Sequence, residues 1–216
     1  MKRFGFCLLT FLVAFGFLAK RADAQAPEYF SGLYGGFFSG YVGVDDNFDD
    51  TIGSANLDID GWINGLTVGY NHKQDRFLLG VEVDGAILEA GERFGCPGGG
   101  FCEVELSWLG TARGRIGYLF GDQLEYALYV TGGFAVVGVG FSANLAPGSP
   151  FHYHETGYVI GGGGEAYLFD TSWISTKVEY LYIDFGDGKT SATGTTTAAS
   201  LDLNMHILKV GLNLHF

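Results

Sequence analysis

The segment from Met205 to Phe216 alternates between a mostly apolar set of residues and a mostly small or polar set. It sets His206, Leu208, Val210, Leu212, Leu214 and Phe216 against Ile207, Lys209, Gly211, Asn213 and His215. Because the side chains of a strand point alternately to opposite faces, this pattern predicts a strand with one apolar and one polar face. A final aromatic residue, whose ring favours lipid and whose carboxylate favours water, is typical of a strand that ends at a membrane interface.

Seven other segments repeat this alternation over the roughly ten residues that a tilted membrane strand needs. The eight predicted strands are 33–44, 61–71, 76–88, 104–119, 124–141, 156–168, 173–185 and 203–216. Long polar connections at 45–60, 89–103, 142–155 and 186–202 alternate with short ones at 71–75, 120–124 and 169–172. The sequence therefore predicts an all-β fold, an eight-stranded antiparallel transmembrane up-and-down β-barrel, with extracellular long loops and periplasmic termini. Its location is then the outer membrane of a Gram-negative cell.

One uncharged stretch, 127–145, is also long enough for a transmembrane helix. Gly132, Gly133, Gly138 and Gly140, together with a high valine content, favour a strand over a helix there.

The first residues have the features of a secretory signal peptide. Lys2 and Arg3 precede an apolar run at 4–18, and Ala22-Asp23-Ala24 is a small-x-small cleavage site. We therefore expect residues 1–24 to be removed and residues 25–216 to form the barrel. In an exported chain, Cys96 and Cys102 predict a short disulfide-closed loop, whereas their spacing does not favour a redox or zinc site.

The acidic balance limits the partners of the mature chain. Of the 12 basic and 24 acidic residues, four basic and one acidic lie within the predicted signal peptide, which leaves a net charge of −15. Such a charge argues against nucleic acid as a partner. The acidic residues crowd 45–60, where oxygen ligands for Ca²⁺ are conceivable, but the spacing fits no EF-hand and favours a solvated face, so no metal site is predicted.

Eight charged residues of the predicted strands fall on the face opposite the apolar set. They are Glu82, Asp84, Arg113, Arg115, Glu165, Lys177, Glu179 and Lys209, four of each sign. An Arg or Lys facing lipid at midplane would cost about 2–4 kcal/mol, so these side chains should point into the lumen. An eight-stranded barrel is narrow enough to be filled by its own side chains. We expect the charges to pair, which predicts a plugged lumen without a wide channel.

Three further patterns contain residue types that could bind a ligand or catalyse a reaction. His152, Tyr153 and His154, in the third long connection, offer imidazole and phenol ligands for haemin, although ordinary loop residues are the simpler interpretation. The GxGxxA match at 161–166 lacks a following helix pattern and is not expected to bind a nucleotide. Ser149 lies near His152, His154 and Glu155 without a spacing that specifies a triad, so we predict no enzyme and no required cofactor.

Five strings in order resemble a known family. They are LLGVEVD at 78–84, WLGTARGRIGY at 108–118, YVTGGFA at 129–135, VEYLYID at 178–184 and VGLNLHF at 210–216. Together they are similar to the small porin-like outer-membrane proteins of alphaproteobacteria, which are OmpA-like eight-stranded barrels that include surface antigens and haemin-binding proteins. Two features depart from the family pattern: the cysteine pair, and Phe30-Ser-Gly-Leu-Tyr34 where many relatives have Trp-Thr-Gly-Phe-Tyr.

The resemblance implies a protein in contact with outer-membrane lipid and lipopolysaccharide. It also implies insertion by the outer-membrane assembly machinery, with Phe216 as the terminal aromatic assembly signal. The expected roles are envelope integrity and surface interactions. The resemblance also implies haemin capture as an alternative and a host-surface partner as a second one. Since loops carry ligand chemistry, loop sequence decides between these alternatives.

Overall fold

The computed structural model describes residues 29–50, 53–95, 101–143, 151–168, 173–190 and 199–216. They form eight strands: β1 (Gly32–Asp50), β2 (Gly53–Gln74), β3 (Phe77–Gly95), β4 (Phe101–Phe120), β5 (Tyr126–Ala143), β6 (Phe151–Tyr167), β7 (Ile174–Thr190) and β8 (Ala199–His215). Each strand pairs antiparallel with the next, and β1 pairs with β8 to close a barrel. The predicted eight-stranded antiparallel barrel is confirmed.

No helix among the described residues is long and apolar enough to cross a membrane. Residues 127–143, for which a helix was the alternative, lie in β5. The strand assignment from glycine and valine content is therefore confirmed for that segment.

One end of the barrel, here called the turn end, carries the short connections. The β2–β3 turn places Asp75 at a φ of 55°, and the β4–β5 turn places Gly121 at 97° and Leu124 at 63°. These left-handed angles allow the chain to reverse within a few residues. The start of β1 and the end of β8 lie at this same end, where the Phe216 amide donates to the carbonyl of Leu33 at 2.9 Å.

The opposite end, here called the hairpin end, differs from the prediction. Residues 45–50 of β1 pair with residues 53–58 of β2, so most of the predicted loop 45–60 is a two-stranded ladder. The strands also extend into the predicted loops 89–103, 142–155 and 186–202. A hairpin needs backbone pairing and not an apolar face, so a strand continues beyond the apolar band although the alternation ends there. The loop assignment was wrong for these residues.

The outer face of the barrel is apolar. On β3, Leu79, Val81 and Val83 are about three-fifths exposed, whereas Glu82 and Asp84 between and beside them are buried. The same alternation recurs along the parts of the other strands whose burial is described, with an interruption at the β4 bulge between Leu106 and Trp108. The predicted division into a lipid-compatible outer face and a charged inner face follows directly from the period of two.

The interior is divided into three layers. At the turn end, Leu124 packs against an apolar cluster of Tyr29, Phe30, Leu78, Leu119, Ala127 and Tyr167. The charged residues lie next. Toward the hairpin end follows a larger apolar cluster: Phe38, Val42, Val44, Ile63, Ala86, Leu88, Ala90, Leu106, Leu109, Ala135, Val137, Val139, Val159, Leu181, Ile183, Phe185, Met205 and Ile207. The charges are thus enclosed between two apolar layers.

A glycine makes room for one of the side chains that reach into the charged layer. A Cβ on Gly69 would lie 2.3 Å from the ring of Tyr34, which crosses the lumen at that point. The Tyr34 hydroxyl donates to Glu82 at 2.7 Å. Any larger residue at position 69 would displace this ring and break that hydrogen bond.

Candidate functional site

Glu82 on β3 is the most heavily paired carboxylate of the lumen. Its oxygens accept hydrogen bonds from Lys177 Nζ at 2.7 Å, from the Tyr34 hydroxyl at 2.7 Å and from Arg113 Nη2. Arg115 Nη1 lies 3.6 Å from the same carboxylate. Glu82 lies on β3, and its cationic partners lie on β4 and β7. It therefore joins strands from opposite walls of the barrel. Its burial, at 2% exposed, requires that its charge be matched.

Asp84, two residues along β3, has its own set of partners. Lys209 Nζ lies at 2.5 Å and Arg113 Nη2 at 2.7 Å from its Oδ2. The Thr67 hydroxyl donates to Oδ1, and the Thr111 hydroxyl lies 3.5 Å from Oδ2. Asp84 therefore connects β2, β4 and β8 to β3.

Glu179 completes this half of the network. It contacts Arg113 Nη1 at 3.0 Å and Lys209 Nζ at 2.8 Å. Carboxylate oxygens of Glu82, Asp84 and Glu179 lie within 4.8 Å of one another, which is a spacing that a metal ion could bridge. The surrounding guanidinium and ammonium groups already supply the positive charge that an ion would bring. The geometry therefore fits an internal ion-pair network better than a metal centre.

Glu165 on β6 forms a second half of the network toward the turn end. It accepts from Arg115 Nη2 at 2.9 Å, from the Ser175 hydroxyl at 2.6 Å and from Asn213 Nδ2 at 2.8 Å. His215 Nε2 lies 2.8 Å from the Ser175 hydroxyl and 3.5 Å from Glu165. The same ring nitrogen faces both neighbours, whereas a catalytic triad needs the two nitrogens of the ring to face opposite ways. This group is a structural hydrogen-bond cluster.

Aromatic rings contact two cations of the network, Arg115 and Lys209. The Arg115 guanidinium carbon lies 5.2 Å from the ring centroid of Tyr34 and 4.7 Å from that of Tyr129. Lys209 Nζ lies 4.4 Å from the ring centroid of Phe38. Such contacts strengthen when the cation is removed from water. Arg115 and Lys209 are thus held by both ion pairs and ring faces.

All eight charged residues that the alternation assigned to the lumen lie in this network. Its uncharged members were not predicted; they include Tyr34, Thr67, Thr111, Tyr129, Ser175 and Asn213. A hydroxyl or amide on the inner face resembles any other small polar lumen residue, so only the inward parity of these positions could have indicated them.

The residues considered for haemin do not lie in a loop. His152, Tyr153 and His154 belong to β6, where they pair with Gly140, Val139 and Gly138 of β5. The His154 side chain is exposed on the outer face, with its ring centroid 5.5 Å from that of Trp108.

Several predicted features fall outside the described residues. These are the signal peptide 1–24, Cys96 and Ser149. Cys102 lies in β4 and pairs with Phe94 and Ala143 along the ladders. The disulfide between Cys96 and Cys102 stays a prediction.

Comparison with known proteins gives the family. No protein-family model matches the chain. The 31 kDa outer-membrane immunogenic protein of Brucella melitensis is 32% identical over 197 residues, covering 86% of this chain and 80% of that protein. The 25 kDa outer-membrane immunogenic protein of Brucella abortus is 32% identical over 192 residues, covering 88% and 82%. The chain belongs to this family of outer-membrane proteins.

A solved structure supports the fold of this family member. The outer membrane protein OprG from Pseudomonas aeruginosa matches with a TM-score of 0.56 and 15% identity, covering 89% of this chain and 100% of that one. At this identity the match concerns the fold alone. The chain is thus an outer-membrane β-barrel of the small eight-stranded kind, as the resemblance implied.

The outer face of this outer-membrane protein has two aromatic belts. Trp62, Trp108, Tyr158, Tyr180 and Tyr41 lie toward the hairpin end, and Tyr70, Phe77, Tyr118, Phe120, Tyr126 and Trp173 toward the turn end. Tyr158 donates to Asp184 Oδ2 at 2.5 Å. Aromatic residues with hydrogen-bonded polar tips are enriched where hydrocarbon meets water, so the two belts mark the boundaries of the membrane-spanning band.

Proposed function

We propose that this outer-membrane protein is a plugged, non-catalytic barrel that contributes to envelope integrity and presents its hairpin end at the cell surface. The observation that carries the proposal is the filled lumen, in which four cations and four carboxylates pair with one another between two apolar layers. An open pore would leave these charges facing water instead of each other.

Two features support a lumen without an ion path. The paired charges are buried, with Arg115 and Lys177 each only 1% exposed. A permeating ion would have to break pairs that hold each other in a low-dielectric interior. It would then meet the apolar layer at the hairpin end, whose described side chains cannot replace its hydration shell. We infer that the barrel supports its hairpin end at the cell surface and does not conduct ions.

The proposed orientation places the turn end in the periplasm and the hairpin end outside. An even strand number, with short connections at the turn end and long paired hairpins opposite, supports it. In this orientation the apolar outer face contacts membrane lipid, and the hairpin-end belt meets lipopolysaccharide. Phe216, half exposed beside the start of β1, is then available to the assembly machinery. The Brucella relatives are outer-membrane immunogenic proteins by name, which agrees with surface presentation.

The test is conductance of the refolded barrel in planar lipid bilayers. We expect no steady, large single-channel currents, because no continuous aqueous path crosses the lumen. The same protein unfolded before addition is the control for bilayer disturbance. Steady currents of fixed amplitude that appear only with the folded barrel would overturn the plugged lumen.

A second candidate function is haemin binding at the outer face of the hairpin end. The observation that favours it is the exposed His154 imidazole beside the flat ring of Trp108. An imidazole can ligate haem iron, and an aromatic surface can cover the macrocycle.

A haemin titration monitored by the Soret band tests this candidate. If haemin binds here, uptake is saturable in the refolded barrel and lost in His154→Ala, because the iron ligand is gone. His72→Ala, which removes another exposed histidine at the turn end, is the matched control and should bind as the parent does. Equal, non-saturating uptake by all three proteins would mean partitioning into detergent and would reject the candidate.

A further inference from the structure

Beyond the apolar band the barrel wall divides into two sheets. The β2–β3 ladder ends at Gly61 paired with Ala90, and the β6–β7 ladder ends at Tyr158 paired with Asp184. The ladders within the four hairpins, and those of β4 with β5 and β1 with β8, continue farther. One sheet therefore contains β7, β8, β1 and β2, and the other contains β3, β4, β5 and β6.

This division leaves a strand edge at β6. Residues 151–157 pair with β5 up to Phe151 opposite Phe141. Within the described part of the chain, they have no ladder to β7. Gly157, at the start of the edge, still lies against the backbone of Asp184 and Phe185, whereas residues 187–190 of β7 pair with β8 instead. A register shift between Asp184 and Asp187 turns β7 away at this point, and the Gly186 amide donates to Asp184 Oδ1 at 2.7 Å. The bulge ends the pairing as bulges at sheet edges commonly do.

An unpaired strand edge is a template for another strand. It presents a row of backbone N–H and C=O groups that an extended chain can satisfy. The edge begins on the hairpin-end side of Tyr158, which belongs to the hairpin-end belt. It therefore lies outside the hydrocarbon. Within the hydrocarbon, an open edge would be too costly. A ligand for this edge therefore arrives from the aqueous side and is extended.

Charge decides what kind of strand fits. Residues 45–60, 89–105, 142–155 and 184–202, which form the hairpin end and its connections, contain 14 acidic and 2 basic residues. Glu155 lies on the edge segment itself, and Asp184 pairs with Tyr158, which directly follows that segment. A second copy of this chain would bring the same negative charge and be repelled. A cationic strand would be attracted and guided to the edge.

We propose that the β6 edge at residues 151–157 binds an extended, cationic peptide segment of another protein by strand addition. The backbone of the edge supplies the hydrogen bonds and the acidic hairpin end supplies the attraction. This binding surface is independent of the lumen, so it holds whether or not the barrel conducts.

The probe is a peptide of alternating Lys and Val, titrated against the refolded barrel in lipid nanodiscs. We expect saturable binding that weakens as salt is raised, because salt screens the attraction. Hydrogen exchange should show new protection of the amides at 151–157. A peptide of equal charge, N-methylated at alternate residues, should bind at least about tenfold more weakly, because it cannot complete the ladder.

Two charge variants separate strand addition from general attraction. Glu155→Lys places a like charge on the edge, whereas Glu105→Lys makes the same change on β4, where Glu105 pairs with both Gly91 and Gly140. We expect Glu155→Lys to weaken binding several-fold more than Glu105→Lys. Equal weakening by both variants, or equal binding of the N-methylated peptide, would leave only nonspecific attraction and overturn the proposal. Full amide protection at 151–157 without peptide would also overturn it.

Discussion

Replacing Glu82 with Gln is expected to lower the free energy of unfolding by about 3–5 kcal/mol. The substitution keeps the volume of the side chain and removes only its charge. Lys177 then loses its 2.7 Å partner, and Arg113 loses one of its carboxylates. Both cations are buried, so water does not replace the missing charge. Urea unfolding of the refolded barrel in lipid vesicles measures the loss.

The control for this prediction lies seven residues along the same strand. Glu89→Gln removes an exposed charge on the outer face and should change stability by no more than about 0.5 kcal/mol. The double variant Glu82→Gln/Lys177→Met removes both partners of one pair. Its loss should be smaller than the sum of the two single losses, because no uncompensated charge remains. A loss below about 1 kcal/mol in Glu82→Gln would mean that water reaches the network, which contradicts a sealed lumen.

The charged half of this network was readable from the sequence. A charge facing lipid is costly, so parity alone placed Glu82, Arg113 and Lys209 in the lumen, and pairing followed from their equal numbers. The choice of partner was not readable. It depends on the stagger between strands, which sets whether Arg113 reaches Glu82, Asp84 or both, and stagger leaves no mark on alternation.

The hairpin end was the least predictable part of the fold. Alternation in the sequence indicates a strand only where the two faces of that strand meet different environments. The acidic sequence of residues 45–50 and 53–58 resembled a loop although its backbone is paired as a two-stranded ladder. The point at which the β6–β7 ladder ends could not be predicted either. It depends on the bulge at Gly186, and a glycine in the sequence does not by itself indicate a bulge.

The aromatic rings of the apolar cluster at the turn end, here called the aromatic plug, were not predicted for a related reason. Tyr29 and Phe30 precede β1 and belong to no alternating run, so nothing in the pattern assigned them a face. The backbone reverses at Phe30, where φ is 65°, and carries the ring into the lumen mouth. Burial of a ring there depends on this single left-handed residue, which sequence periodicity does not report.

Replacing Phe30 with Ala is expected to lower the free energy of unfolding by about 3–5 kcal/mol, because a fully buried ring is removed from the turn-end layer. The ring lies 4.7 Å from that of Tyr167 and 6.2 Å from that of His215, measured between centroids. Its loss leaves a cavity between the aromatic cluster and the charged layer. The same urea unfolding experiment measures it, with Tyr29→Phe as the control, which keeps its ring and loses only the hydrogen bond to Gln123.

A second substitution at Phe30 separates packing from backbone strain. Gly usually destabilises more than Ala, because the unfolded chain is freer. At a positive φ the order should reverse, since Gly adopts the left-handed region without strain, and Phe30→Gly should then be about 1 kcal/mol more stable than Phe30→Ala. The Phe30 amide donates to the Tyr167 hydroxyl at 2.9 Å in either variant, so that bond does not affect the comparison. If Phe30→Gly is the less stable of the two, the left-handed turn does not form in solution, and the aromatic plug is not what closes the turn end.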